Sequence, residues 1–190
     1  MPIVRFIIIT LPPPPLRDAL QRFREILAAV GRTSIALTYP PHVTLRTGAL
    51  VPEEDTNRFI EEFGRTVKKT QSCDILSDGI RHGTYPRNGE TGYYIFYRIA
   101  LTDRLSAFHR QLASYLPYKK EGSRDFAPHL TLAFDDLTPK GRDGIMKFIE
   151  EHPEQVQPDF CFPIDNVSLY IQEKGTWVPH TVYPVSGSGD

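Results

Sequence analysis

The chain has 190 residues, 40% of them hydrophobic, and a formal net charge of −1. That length suffices for one domain with a sizeable core, and the near-neutral balance excludes a global basic field for holding a long nucleic acid. A nucleotide or the end of an RNA is compatible with that balance where positive charge is local, and two cysteines alone, Cys73 and Cys161, exclude a disulfide framework and point to a reducing compartment.

Residues 3–11 are β-rich and predict a first strand. The apolar run Phe6 to Leu11 is too short for a secretory signal and stops at Pro12-Pro13-Pro14-Pro15, which predicts a stiff extended loop. No run of about 18 apolar residues marks a membrane span, and a cytoplasmic location is expected. Leu16, Leu20, Phe23, Leu27 and Val30 recur at helical spacing, so 16–30 is an amphipathic helix ended by Gly31. A strand follows at about 41–47. Pro52-Glu53-Glu54-Asp55 opens a second helix striped with Phe59, Ile60, Phe63 and Val67, acids lying at the positive end of its dipole. Residues 71–77 read as a strand, and 78–92, with Asn88-Gly89, as a loop or hairpin.

Then the pattern begins again. Tyr93 to Leu101 is aromatic and β-branched, and Thr102 caps a helix carrying Leu105, Phe108, Leu112 and Leu116. A polar loop, 118–125, leads to another strand. Thr138-Pro139 opens a helix with Ile145, Phe148 and Ile149 on one side. Short strands are expected at 158–164, 166–172 and 177–183, with a loose tail at 186–190. No CxxC pair or Cys/His cluster suggests zinc.

One short stretch occurs twice: Pro41-His42-Val43-Thr44-Leu45 and Pro128-His129-Leu130-Thr131-Leu132. On a strand, side chains at i and i+2 share a face, so each copy presents an imidazole beside a hydroxyl while the intervening apolar residue points to the core. The histidines are 87 residues apart, and each is followed ten residues later by the proline of the next helix. We read an internal duplication, with repeats at 3–77 and 93–164 and C-terminal strands to about 184. The expected fold is α+β, a single bilobal domain spanning 1–190. Two mainly antiparallel sheets face a central cleft, helices pack outside, and His42, Thr44, His129 and Thr131 meet there.

With both motifs in view, the chain resembles the 2H phosphoesterase superfamily, whose signature is two His-x-Thr/Ser-x motifs, one per lobe. Within it, the chain is similar to the 2′-5′ RNA ligase and cyclic phosphodiesterase branch. The opening strand Val4 to Pro12, His42-Val43-Thr44-Leu45-Arg46, Pro128 to Ala133, and Ser168-Leu169-Tyr170 followed by Trp177 carry the match. The branch often has an arginine just after the second motif, where this chain has Phe134.

The chemistry suits the residues. Opening a 2′,3′-cyclic phosphate with water needs a base for the water proton and an acid for the departing ribose oxygen, placed on opposite sides of phosphorus. Histidine serves both roles near neutral pH, and two threonine hydroxyls can donate to the non-bridging oxygens. The resemblance implies His129 as base and His42 as acid for release of a 2′-phosphate; the reverse division gives a 3′-phosphate. Arg46 shares the strand face of His42 and Thr44 and is a candidate phosphate contact, as are Lys119, Lys120 and Arg124 in the polar loop. Tyr170 and Trp177 are candidates to stack on a base. His82, His109, His152 and His180 stand outside the motifs.

The expected activity is thus metal-independent hydrolysis of cyclic phosphate ends of nucleotides or RNA, with no cofactor and no membrane partner, by a monomer. The alternatives are 2′-5′ RNA ligation at the same site and a non-catalytic module binding RNA ends or nucleotides.

Overall fold

The computed structural model describes residues 2–114 and 126–185. Leu116, Lys119, Lys120, Arg124 and the tail from Ser186 lie outside the described residues. The first strand, β1 (Ile3–Thr10), buries Phe6 and Ile8 completely. The helix α1 (Pro14–Gly31) begins inside the proline run. Pro14 and Pro15 occupy its first turn, where the missing N–H groups would have had no intrahelical partner, so only Pro12 and Pro13 belong to the loop. Arg32, at φ 52°, takes the left-handed C-terminal position expected near Gly31.

After a 3-10 turn at Ile35–Thr38 come β2 (Val43–Pro52), a second 3-10 turn at Glu53–Asp55, and α2 (Thr56–Val67). The next two strands, β3 (Asp74–Arg87) and β4 (Glu90–Ile99), form one long hairpin. Its turn is Asn88-Gly89, both with positive φ, which matches the twist of the flanking strands. Then follow α3 (Asp103–Ser114), with Thr102 Oγ1 accepting the Leu105 amide at 3.1 Å, and β5 (His129–Phe134). The helix α4 (Pro139–Glu151) is capped by Thr138, which accepts the Gly141 amide. The chain closes with β6 (Cys161–Pro163), β7 (Asn166–Glu173) and β8 (Thr176–Pro184).

The strands lie in one antiparallel order, β6-β3-β4-β5-β2-β1-β7-β8. That order is symmetric about its middle: β5 corresponds to β2, β4 to β1, β3 to β7 and β6 to β8. The α+β class and the duplicated, antiparallel arrangement stand as read. The two sheets expected from the repeat are the four-stranded halves of this one sheet, and the motif strands are neighbours at its centre. Strand β3, assigned to the first repeat, pairs in the second half, because the two-residue Asn88-Gly89 turn brings it straight onto β4. The C-terminal strands β7 and β8 complete the first half through β1.

Through the two motif segments, 42–46 and 129–132, buried and half-buried side chains alternate. Val43, Leu45, Leu130 and Leu132 are fully or almost fully buried, whereas His42, Thr44, Arg46, His129 and Thr131 are half-buried. The buried set joins one core with Leu20, Phe23 and Leu27 of α1, Phe59 and Phe63 of α2, Leu105, Phe108 and Leu112 of α3 and Ile145 of α4. Each such side chain contributes roughly 1.5–3 kcal/mol on removal from water. Burial of that face fixes the strand register, since a one-residue slip would send every leucine to solvent and both histidines into the core. At the α1–α4 contact, a Cβ on Gly141 would lie 2.5 Å from the Gly31 carbonyl oxygen, so only glycine permits this approach.

Candidate active site

Strands β2 and β5 join at the pair Val43↔Leu130. In the antiparallel register set by that pair, His42 comes opposite Thr131 and Thr44 opposite His129. Directly opposed side chains have Cβ atoms about 4.5–5.5 Å apart. The four motif side chains therefore form a quadrilateral on one face of the sheet, with the two imidazoles on one diagonal and the hydroxyls on the other. Among the described residues neither Thr44 nor Thr131 has a side-chain hydrogen-bond partner, so both hydroxyls are available to a ligand.

Each imidazole is held in the same way. His42 Nδ1 lies 2.8 Å from the Pro40 carbonyl oxygen, and His129 Nδ1 lies 3.0 Å from that of Ala127. In both motifs the partner is two residues upstream, just before the motif proline. A carbonyl only accepts, so Nδ1 carries the proton and Nε2 is the nitrogen left to exchange protons with a ligand. His129 is further supported by Phe96, edge-on at 5.4 Å, and by Tyr94 at 6.0 Å, two stacked rings on β4. Phe96 pairs with Thr131 and Arg98 with His129 in the β4–β5 ladder. Burial favours the neutral form of His42 and sets its pKa below the ordinary histidine value. The Pro40 hydrogen bond opposes that shift, and the positive charges of Arg24 and His129 add to it.

A cleft of about 270 Å³ opens beside His42 and Thr131, walled by Ile7, Ile9, Ile35, Tyr39, Tyr170, Trp177 and Phe134, with Arg24 and Asp135 as its other charged members. Tyr170 and Trp177 line this cleft together with His42 and Thr131, and both are half-buried. Thr44 and His129 lie on the motif face beyond the cleft's walls. Arg46 does not line the cleft; a register shift in the β1–β2 ladder lies between it and Thr44, pairing Arg46 with the core residue Ile8, and one of its guanidinium nitrogens is buried without a partner. Lys120 and Arg124 lie outside the described residues. His82, His109, His152 and His180 do not line the cleft, and His109 stacks on Phe126 at 3.9 Å.

Sequence reading missed Arg24, Tyr94, Phe96 and Asp136. Arg24 looked like a polar position on an amphipathic helix, yet only 3% of it is exposed. Tyr94 and Phe96 could have been found by parity, since alternate residues of one strand must share the motif face. Asp136 fixes the cleft wall: it accepts from Thr33 Oγ1, from Ser34 N at 2.7 Å and Oγ at 3.2 Å, and from Ile35 N at 3.3 Å. This joins the segment after α1 to the end of β5. Burial alone would raise the Asp136 pKa, but these hydrogen bonds outweigh it and hold the carboxyl below its usual value.

Asp136→Ala should lower the unfolding free energy at pH 7 by about 1–2 kcal/mol, measured by urea denaturation. Because the folded carboxyl is the stronger acid, its contribution is fully present above the unfolded value of about 3.9 and is lost as pH falls through the folded one. The gap between wild type and variant should therefore be constant from pH 7 to about 5 and close below about pH 4.

Among the described residues, no group of three or more His, Cys, Asp or Glu is arranged to hold a metal ion, and no helix is long and apolar enough to cross a membrane.

A family profile described as the 2′-5′ RNA ligase superfamily matches residues 12–176. A relative from Shouchella clausii, provisionally named a phosphoesterase, is 25% identical over 187 residues, covering 97% of this chain and 99% of the relative. Another from Geobacillus kaustophilus, named in the same way, is 24% identical over 186 residues, covering 97% and 98%. The fold is similar to the crystal structure of Escherichia coli LigT complexed with 3′-AMP, with a TM-score of 0.61, 17% identity and coverage of 98% of this chain and 100% of LigT. LigT has also been crystallised with ATP, NADP+ and phosphate.

Proposed function

Because this chain belongs to the 2′-5′ RNA ligase superfamily, a group of 2H phosphoesterases, we propose that it hydrolyses 2′,3′-cyclic phosphates of nucleotides or RNA ends by paired imidazole catalysis. The observation that carries this reading is the matched anchoring of His42 and His129, each with Nδ1 on a carbonyl two residues upstream and Nε2 left to the motif face. One imidazole, His129 in the division that the resemblance implies, takes the proton of the attacking water. The other, His42, protonates the ribose oxygen as the P–O bond breaks. The Thr44 and Thr131 hydroxyls donate to the non-bridging oxygens as charge builds on them.

The depressed pKa of His42 bears on the acid step. Burial favours the neutral form of His42, and an acid must begin protonated. An anionic cyclic phosphate beside it offsets the burial penalty and the repulsion from Arg24 and lets the imidazole take up the proton it will give away. Nucleotides and phosphate bound to LigT support a phosphate ligand on this fold, and the half-buried Tyr170 and Trp177 offer apolar rings for a base.

The test is a panel of nucleoside 2′,3′-cyclic monophosphates and cyclic-phosphate-ended RNA, with and without EDTA, the products resolved as 2′- or 3′-phosphates. Turnover that is insensitive to the chelator supports the reading; no turnover of any member overturns it. The family's name also favours a second use of the same groups, in which an RNA 5′-hydroxyl replaces water. Adding a 5′-hydroxyl RNA to the assay separates the two, since ligation gives a longer product.

A further inference from the structure

Among the described residues, Arg24 is the one charged side chain that is almost completely buried. It sits on α1 between the core residues Phe23 and Leu27, is 3% exposed, and lines the cleft beside His42. Its Nη1 donates to the Tyr39 carbonyl at 2.9 Å and to Gln21 Oε1 at 3.3 Å. Its Nε has no partner, and among the described residues no carboxylate pairs with it. Asp135, the acidic residue of the cleft, is already committed to Arg87 at 3.0 Å and to the Tyr85 hydroxyl at 3.1 Å. A buried, unpaired cation is costly: desolvation alone brings its pKa down to about 10. Its neighbour His42 must also become cationic during the proposed reaction. With Asp135 held by Arg87 and Tyr85, two positive groups in one cleft lack a counter-ion of their own, and a ligand can supply it.

We propose that Arg24 forms an anion subsite of the cleft, its guanidinium holding a phosphoryl group of the ligand beside His42. The idea rests on the phosphoesterase reading and adds to it a named charge partner. Tyr39 and Gln21 take Nη1, and Nε is left buried without a partner; a guanidinium fork with unused donors can bind a phosphoryl group through more than one N–H. A purely structural role, propping the Tyr39–Pro40 segment that anchors His42, would need only the Nη1 bond. It would leave the unpaired Nε and the absent carboxylate unexplained.

Inorganic phosphate is the probe, because its binding does not depend on turnover. Trp177, the one tryptophan of the chain, lines the same cleft and reports occupancy by fluorescence. Phosphate should bind wild type at least tenfold more tightly than Arg24→Met, with Arg24→Lys between them. In the free protein the His42 pKa, followed by NMR against the background of Asp135, Tyr39, Tyr170 and His129, should rise in Arg24→Met. In wild type, phosphate should also shift the Arg24 Nε–H resonance, a readout that needs no variant to fold. The subsite is refuted if that resonance does not respond, or if folded Arg24→Met binds phosphate as wild type does. Cyclic phosphate turnover that survives such a refutation leaves the proposed function standing. Arg24-dependent phosphate binding without turnover removes the function and keeps the subsite.

Discussion

His42→Ala and His129→Ala should each lower the turnover of a 2′,3′-cyclic nucleotide by about 10²–10⁴-fold, the range that one positioned acid or base supplies. Both side chains are half-buried on the motif face, so neither change opens the core beneath, where Val43 and Leu130 do the packing. Folding measured by circular dichroism should be nearly unchanged. The double variant should lose little more than the worse single one, because acid and base act in the same displacement and removing either already stalls it. Losses that multiply would mean that the two rings act independently. The pH profile should separate them as well. In wild type, turnover should rise and fall as a bell, with one limb from the group that must be neutral and one from the group that must be charged. Each single variant should lose one limb. Since His42 favours its neutral form in the empty cleft, the limb it governs should lie at higher pH in kcat than in kcat/KM, because bound substrate raises its proton affinity.

Thr44→Val and Thr131→Val should each reduce kcat by about 10–10³-fold with little change in KM, since valine keeps the shape of threonine and loses only the donor. The register places each hydroxyl across the ladder from the other motif's imidazole, so the two donors reach the phosphoryl group from both strands. Neither hydroxyl is engaged by another described residue, so the substitution leaves no orphaned partner to confuse the result. Steady-state kinetics on a cyclic nucleotide measures this directly. A loss confined to KM would make the threonines ground-state binders, and no loss at all would remove them from the mechanism.

The parts of the molecule that were legible in the sequence are those written in short-range patterns. Strand alternation put His42 with Thr44 and His129 with Thr131, and the repeat predicted a duplicated antiparallel fold, though as two facing sheets and not as the halves of one. The hairpin turn at Asn88-Gly89 and the caps at Thr102 and Thr138 follow from local chemistry. What the sequence obscured depends on contacts between distant segments. The repeat frame put residues 71–77 with the first lobe, but a two-residue turn binds β3 to β4 more directly than any symmetry could. The proline run suggested only a loop, yet its last two members start α1, where proline costs nothing. Arg24 is one of several arginines on that helix, and nothing in the chain order says that the cleft passes beside it. Asp136 joins segments about a hundred positions apart, through an acid whose neighbours in sequence give no hint of its donors.

The central claim is that two imidazoles share one phosphoryl ligand through their Nε2 atoms. Imidazole ¹⁵N NMR of the wild-type protein, titrated with inorganic phosphate, tests it most directly. The account predicts that the Nε2 signals of His42 and His129 move together with a single dissociation constant, while both Nδ1 atoms stay protonated on the carbonyls of Pro40 and Ala127. A response from one ring alone, or protonation changes at Nδ1 in place of Nε2, would contradict it.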